Sequence, residues 1–365
     1  MAPLNIDPPV LNSSNPWCTT LEQLQELYNC PHTGAITTRT SLLHGFPHDP
    51  SHHQFAFFNP VTLSASPPNT DNTTAAIDAT KTSSLNTLGY SPLPLKHYLD
   101  YVQQISDALK TQPRGSNSLS NKNPTPKPII ISVTGSAEEI TQCHRLITAL
   151  QPKVVMPLAL EINLSCPNIP GAPPPAYNAE ALGVYLSALN EGLASLSSDA
   201  DAIAVGIKTP PYTYSEQYDA LATALKASLV PKREPGSEKI GKQRCPISFI
   251  TATNTLGSSL LLDPAGPTPQ DAAFKHTLLS AAGSGVGGLA GAPLHPLALG
   301  NVYTIKKLLL QNEALLSVQI IGTGGVEDNA GYSRMRAVGA SAVGVGTAFG
   351  RKGLKVFKEI GKDGW

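Results

Sequence analysis

Eight short apolar runs, most of them followed by a helical pattern, constrain the fold of this chain more than any other feature. They fall at 9–14, 34–40, 128–135, 159–164, 202–208, 247–253, 317–321 and 340–345. The runs at 128–135 and 202–208 are almost continuously apolar, as expected of strands buried on both faces. Helical patterns cover 21–28, 95–111, 137–150, 179–196, 218–229 and 302–310, and 350–360 closes the chain. In the first of these, Leu21, Leu24 and Leu27 share one face and Thr20 stands at the cap position. Strands alternating with helices imply a parallel sheet. Eight such units make an α/β (β/α)8 TIM barrel the simplest closure, with a doubly wound open sheet as the structural alternative. On this reading 1–365 is a single barrel domain with inserted loops at 45–83, 112–126 and 232–244.

Composition narrows the class of partner. Hydrophobic residues make up 41% of the chain, enough for a substantial core, while only 14% are charged and the formal net charge is zero. Typical soluble domains carry about 25% charged residues. Nucleic acid and anionic membranes both require a basic surface that such a chain lacks. The low charge also predicts modest solubility near neutral pH, or an oligomer that hides part of the surface. Five widely spaced cysteines without a C-x-x-C pair argue against a disulfide framework, a zinc site or an iron–sulfur site. Free thiols fit a reducing compartment. Residues 1–14 show neither the basic nor the apolar region of a signal peptide, and no run reaches the length of a membrane-spanning helix. The expectation is a soluble, cytoplasmic protein. The stretch 45–83 is rich in His, Pro, Asn, Ser and Thr and holds Phe55, Phe57 and Phe58. Its His48, His52 and His53 match no ordered metal spacing and read as loop histidines.

Chemistry concentrates where strands end. In 159–171, Leu160, Ile162 and Leu164 alternate with Glu161 and Asn163, and Pro167 then stops the ladder. A thiol, Cys166, is thereby flanked by Asn163, Ser165 and Asn168 where a strand gives way to a loop, the catalytic face of a parallel barrel. A small buried Cys in a turn is the plainer alternative. Lys208 ends an apolar strand and precedes a proline-rich turn, which favours a buried cation facing a ligand over a surface one. Asn86, Asn163, Asn168 and Asn254 fall at strand ends or in the loops of that face. Each amide offers two donors and an acceptor, suited to a flat polar ring. Gly322-Thr323-Gly324-Gly325 and Gly346-Thr347 follow the last two strands, where barrels usually hold a phosphate. Neither is a G-x-x-x-x-G-K-[ST] loop, so triphosphate hydrolysis is not indicated.

The motif Asn163-Leu164-Ser165-Cys166-Pro167-Asn168-Ile169-Pro170-Gly171 resembles the signature loop of the cytosolic, fumarate-type (class 1) dihydroorotate dehydrogenases. The segments 206–212, 320–325 and 344–348 are similar to the same family, and 86–89 and 254–257 match its substrate loops more loosely. The resemblance implies an FMN-containing barrel that oxidises (S)-dihydroorotate to orotate in pyrimidine biosynthesis. It also implies fumarate as acceptor and a homodimer. By position Cys166 would remove the C5 proton, with the C6 hydride passing to flavin N5. Asn86, Leu88, Gly89, Asn163, Asn168, Asn254 and Thr255 would hold the substrate. Lys208 would sit by the flavin N1/C2 carbonyl, Arg39 would touch flavin and substrate, and Ser13, Ser14 and Asn163 would contact the flavin. Gly288, Gly324, Gly325, Gly346 and Thr347 would cradle its phosphate. A Cys rather than a Ser base separates the chain from the quinone-dependent class.

The chain departs from the family pattern in places. The first strand ends Asn12-Ser13-Ser14-Asn15 rather than Asn-Ala-Ser-Gly, and Arg39 stands where a lysine is usual. Ala290 replaces a usual glycine, Leu88 a usual methionine, and Tyr90 follows Gly89. A paralogue acting on another cyclic amide or acid, a flavin-free phosphate-binding lyase or isomerase using Lys208, and a non-catalytic binding paralogue are the alternatives. NAD through an iron–sulfur partner subunit is the alternative acceptor route.

Overall fold

The computed structural model describes residues 4–73, 75–111, 126–169, 171, 173–194, 202–231, 243–264 and 274–362. The insertions read at 112–126 and 232–244 lie almost wholly outside the described residues. Eight strands form one parallel sheet: β1 Val10–Asn12, β2 Ile36–Thr37, β3 Ile129–Val133, β4 Leu158–Asn163, β5 Ala204–Thr209, β6 Phe249–Ala252, β7 Gln319–Thr323 and β8 Ala342–Val345. Ladders join β2 to β3 and so on in order to β8, which pairs with β1. All eight are the runs read from the sequence. The helices α1 Leu21–Asn29, α2 Leu95–Thr111, α3 Ala137–Leu150, α4 Ala179–Ala194, α5 Ser215–Ala227, α6 His295–Leu310 and α7 Asn329–Ala337 occupy the seven crossovers, and α8 Thr347–Lys352 and α9 Lys355–Ile360 follow β8. This is a (β/α)8 barrel.

The last seam closes through a side chain. Besides the Gly34 N–H bond to the Val10 carbonyl, 2.9 Å, β1 reaches β2 through Asn12. Its amide accepts from Thr37 N at 2.9 Å and donates to Thr37 O at 2.6 Å. Asn12 is fully buried, so the amide stands in for a ladder pair. Asn12→Leu is expected to orphan both Thr37 groups and cost about 3 kcal/mol. A urea melt should show a lower midpoint with an unchanged slope.

Alternation along β4 sorts the two cores. Leu160 and Ile162 join the apolar layer between sheet and helices, while Ala159 packs inside the barrel with Leu11, Ile130, Phe249 and Ile321. A second, antiparallel sheet lies over the strand ends, in the order Leu256–Ser259, Gly287–Gly291, Ser83–Asn86, Phe55–Phe58. From the sequence these stretches read as loops. They are short and rich in Ser and Gly, and their pairing comes from partners far along the chain, which local pattern does not reveal. Phe55 and Phe57 anchor this sheet on Trp17, at ring separations of 5.3 and 5.7 Å. Helix α7 was also missed. Its cap, Asp328 accepting from Gly331 N at 2.8 Å, was the available signal. Helix α6 begins earlier than read because Pro296 fits its first turn. Among the described residues no helix is long and apolar enough to cross a membrane.

Candidate active site

The strand ends and the antiparallel sheet enclose one cavity of about 1030 Å³, its open mouth included. Ser13 and Ser14 follow β1, Arg39 and Thr40 follow β2, and Asn163 ends β4 with Cys166 and Asn168 just beyond. Lys208 lies near the end of β5, Asn254 and Thr255 follow β6, Gly324 and Gly325 follow β7, and Gly346 and Thr347 follow β8. Asn86, Leu88 and Gly89 enter from the antiparallel sheet. Every residue named from the sequence therefore lines this cavity except Gly288. That glycine sits within its strand, its carbonyl accepting from Asn86 Nδ2 at 3.1 Å, and Gly291 lines the wall instead. Trp17, Phe55 and Leu294 also line the wall and were not named as site residues from the sequence. Their positions depend on the antiparallel sheet and on α6 docking there.

The amides form a fixed set. Asn168 Nδ2 donates to Asn86 Oδ1 and to the Leu88 carbonyl, both at 2.9 Å. Asn254 Nδ2 donates to Ser165 Oγ at 3.0 Å and to Asn163 Oδ1 at 3.3 Å. Below them lies a buried carboxylate that the sequence reading passed over. Glu161 points into the barrel, where Oε1 accepts from Ser132 Oγ at 2.9 Å and Oε2 from Thr251 Oγ1 at 2.6 Å. Ser132 shares a 2.9 Å bond with Thr40, which shares one of 3.0 Å with Ser14 and accepts from Asn163 Nδ2 at 3.1 Å. The floor of the barrel thus orients three cavity residues through a satisfied buried network. Its only sequence signal was an acidic residue at an inward strand position.

The electrostatics favour an anion. Lys208 and Arg39 are 3% and 9% exposed. Among the described residues neither is ion-paired to a carboxylate. Lys208 Nζ lies 3.5 Å from Ser13 Oγ, and Arg39 Nη2 donates to the Tyr90 carbonyl at 3.2 Å. Buried cations without a counter-charge are costly unless a ligand supplies one. Two further atoms await partners: Asn168 Oδ1 and Thr323 Oγ1 are buried and unbonded, and both residues line the cavity. A Cβ added at Gly346 would meet no atom nearer than Ser13 Oγ at 4.0 Å, so the missing side chain leaves cavity space rather than packing space. Cys166 is the least buried of five free cysteines. Burial pushes its thiol above the ordinary value; the Asn168 N–H, the Tyr90 hydroxyl and the Lys208 charge pull it back.

A parallel barrel that gathers a thiol, two buried cations and four amides over one cavity at its strand ends has the architecture of a barrel enzyme. Residues 51–363 match the family model described as dihydroorotate dehydrogenase, and the chain belongs to that family. It is 27% identical over 361 residues to dihydroorotate dehydrogenase A (fumarate) of Lactococcus lactis subsp. cremoris, covering 97% of this chain and 88% of that protein. It is 28% identical over 279 residues to dihydroorotate dehydrogenase (fumarate) of Trypanosoma cruzi, covering 76% and 70%. The crystal structure of ligand-free type DHODH from Eimeria tenella shares the fold, with a TM-score of 0.63 and 16% identity over 99% of this chain and 85% of that one.

Proposed function

We propose that the protein oxidises dihydroorotate to orotate with FMN in this cavity and passes the electrons to fumarate. The observation that carries the reading is the convergence of Cys166, Lys208, Arg39 and the four asparagines on one cavity. The donor set fits FMN. The glycine-lined loops after β7 and β8, with Thr347 and Gly291, would hold its phosphate, and Lys208, Ser13, Ser14 and Asn163 its ring. When bound, FMN supplies the two-electron acceptor. Lys208, held dry, would stabilise negative charge gathering at its carbonyl edge. Asn168 offers the substrate an acceptor, because its Nδ2 is already committed to Asn86 and Leu88 while its Oδ1 is unbonded. Asn86 and Asn254 are held by neighbours and need little reordering on binding. Cys166 Sγ, as thiolate, takes the C5 proton and becomes a thiol. A homodimer and a cytoplasmic setting complete the reading.

Orotate formation, followed in turn with fumarate, a quinone and NAD as sole acceptor, tests it. Turnover with fumarate alone is expected; turnover with none would refute it. Because burial holds the thiol above its ordinary value, the thiolate fraction is small at neutral pH and grows as pH rises. The reductive half-reaction, in which the substrate is oxidised, is therefore expected to accelerate with pH from 7 towards 10, measured by stopped flow. A second reading rests on Arg39 and Leu88, where the chain departs from the family: oxidation of another cyclic amide. Reduction of the flavin by dihydrouracil but not dihydroorotate would select it.

A further inference from the structure

His295 is a buried imidazole at the start of α6 that lies behind the glycine turn after β7 and does not itself line the cavity. Its partners assign its tautomer. Nδ1 lies 2.7 Å from the Gly324 carbonyl, which can only accept, so Nδ1 carries the proton. Nε2 is then the acceptor, and it takes the N–H of Arg334 Nε, from α7, at 3.2 Å. Donors thus run inward from the exposed Arg334 to the backbone of the turn. The turn is pressed onto α6: a Cβ on Gly325 would lie 2.7 Å from His295 Cβ, and one on Gly324 would lie 2.5 Å from Ala298 Cβ. The consequence falls on the far side of the peptide. The Gly324–Gly325 bond is trans, so its N–H and C=O point opposite ways. Holding the Gly324 carbonyl on α6 turns the Gly325 N–H away from α6, towards the cavity that both glycines line. Among the described residues that N–H donates to no protein acceptor.

We propose that His295, braced by Arg334, is a positioning residue for the cofactor's phosphate: it holds the Gly324 carbonyl back so that the Gly325 N–H faces the anion. The inference rests on the reading of this cavity as an FMN site. Backbone N–H groups aimed into a concavity bind anions, and a bond to an ionised acceptor is about twice as strong as one to a neutral acceptor. Without the clamp, a Gly-Gly peptide is free to rotate, because glycine accepts backbone angles that other residues do not. The rotated peptide would offer its carbonyl oxygen to the phosphate, and the two would repel. The clamp therefore removes a competing arrangement instead of adding a contact. The residues assigned above to the flavin ring, Ser13, Ser14, Asn163 and Lys208, lie at the ends of β1, β4 and β5. Ring binding should not feel the clamp.

The test compares FMN with riboflavin, which lacks only the phosphate. Each is titrated into the full-length protein, freed of flavin, and binding is read from the quenching of flavin fluorescence. His295→Leu is expected to raise the FMN dissociation constant about tenfold and to leave that of riboflavin within about twofold of native. His295→Asn has nearly the shape of the leucine variant but keeps an N–H donor close to the place of Nδ1. It is expected to stay within about threefold of native for both flavins. Arg334→Met, at an exposed position, should raise the FMN constant about threefold and leave riboflavin unchanged. Equal losses for both flavins in His295→Leu, or an asparagine variant as weak as the leucine one, would overturn the clamp and leave the FMN reading standing. If His295→Leu does not accumulate as folded protein, Arg334→Met decides: an FMN-selective loss supports the proposal, and an equal loss or none overturns it. A native protein that binds neither flavin would overturn the FMN reading and this inference together.

Discussion

Cys166→Ser is expected to slow reduction of the bound flavin by dihydroorotate roughly a hundred- to ten-thousandfold, the usual range for losing a positioned proton acceptor. FMN content should not change, because the serine keeps nearly the same volume and the cofactor contacts lie on other strand ends. A serine hydroxyl ionises far less readily than a thiol, so the base is weakened without being displaced. The surroundings sharpen the contrast. Lys208 and the Asn168 N–H favour an anion at this position, while burial opposes it. A thiolate, with its diffuse charge, tolerates that balance better than an alkoxide. The measurement is the single-turnover bleaching rate at several pH values. A rate within threefold of the native protein would remove Cys166 from the chemistry.

The second large effect is expected at Lys208. Lys208→Met preserves the length of the stem inside an apolar strand and deletes the charge. The native ammonium is buried and has no carboxylate partner among the described residues, so no acidic residue is orphaned by its loss. Folding should therefore survive. Bleaching should slow by roughly a hundredfold or more, the scale seen when a preorganised group that stabilises developing charge is removed from a dry site. FMN should also bind more weakly, read as a higher dissociation constant by fluorescence titration. Normal bleaching with normal FMN affinity would show that the cation serves packing alone.

The barrel was legible because its signal is local. Each strand announces itself by continuous or alternating apolar residues, and the first helix by an apolar stripe and its cap at Thr20. The site was legible where chemistry sits at strand ends, as with Asn163, Cys166 and Lys208. What stayed hidden is non-local. The antiparallel sheet joins residues from 55 to 291, and no window of sequence contains that pairing. Gly288 was named where Gly291 lines the wall, because a run with several glycines does not say which one faces the cavity. Glu161 showed only as a polar member of an alternating strand. Its partners Ser132 and Thr251 come from β3 and β6 and meet it only in the closed barrel.

On the proposed function, this cavity holds FMN and reduces it with dihydroorotate. An anaerobic visible spectrum of the purified protein, before and after dihydroorotate is added, tests it most directly. A yellow protein that bleaches on addition is the expected result. A yellow protein that stays yellow would contradict the substrate assignment and direct attention to Arg39 and the 88–90 loop. A colourless protein that FMN cannot reconstitute would contradict the account as a whole.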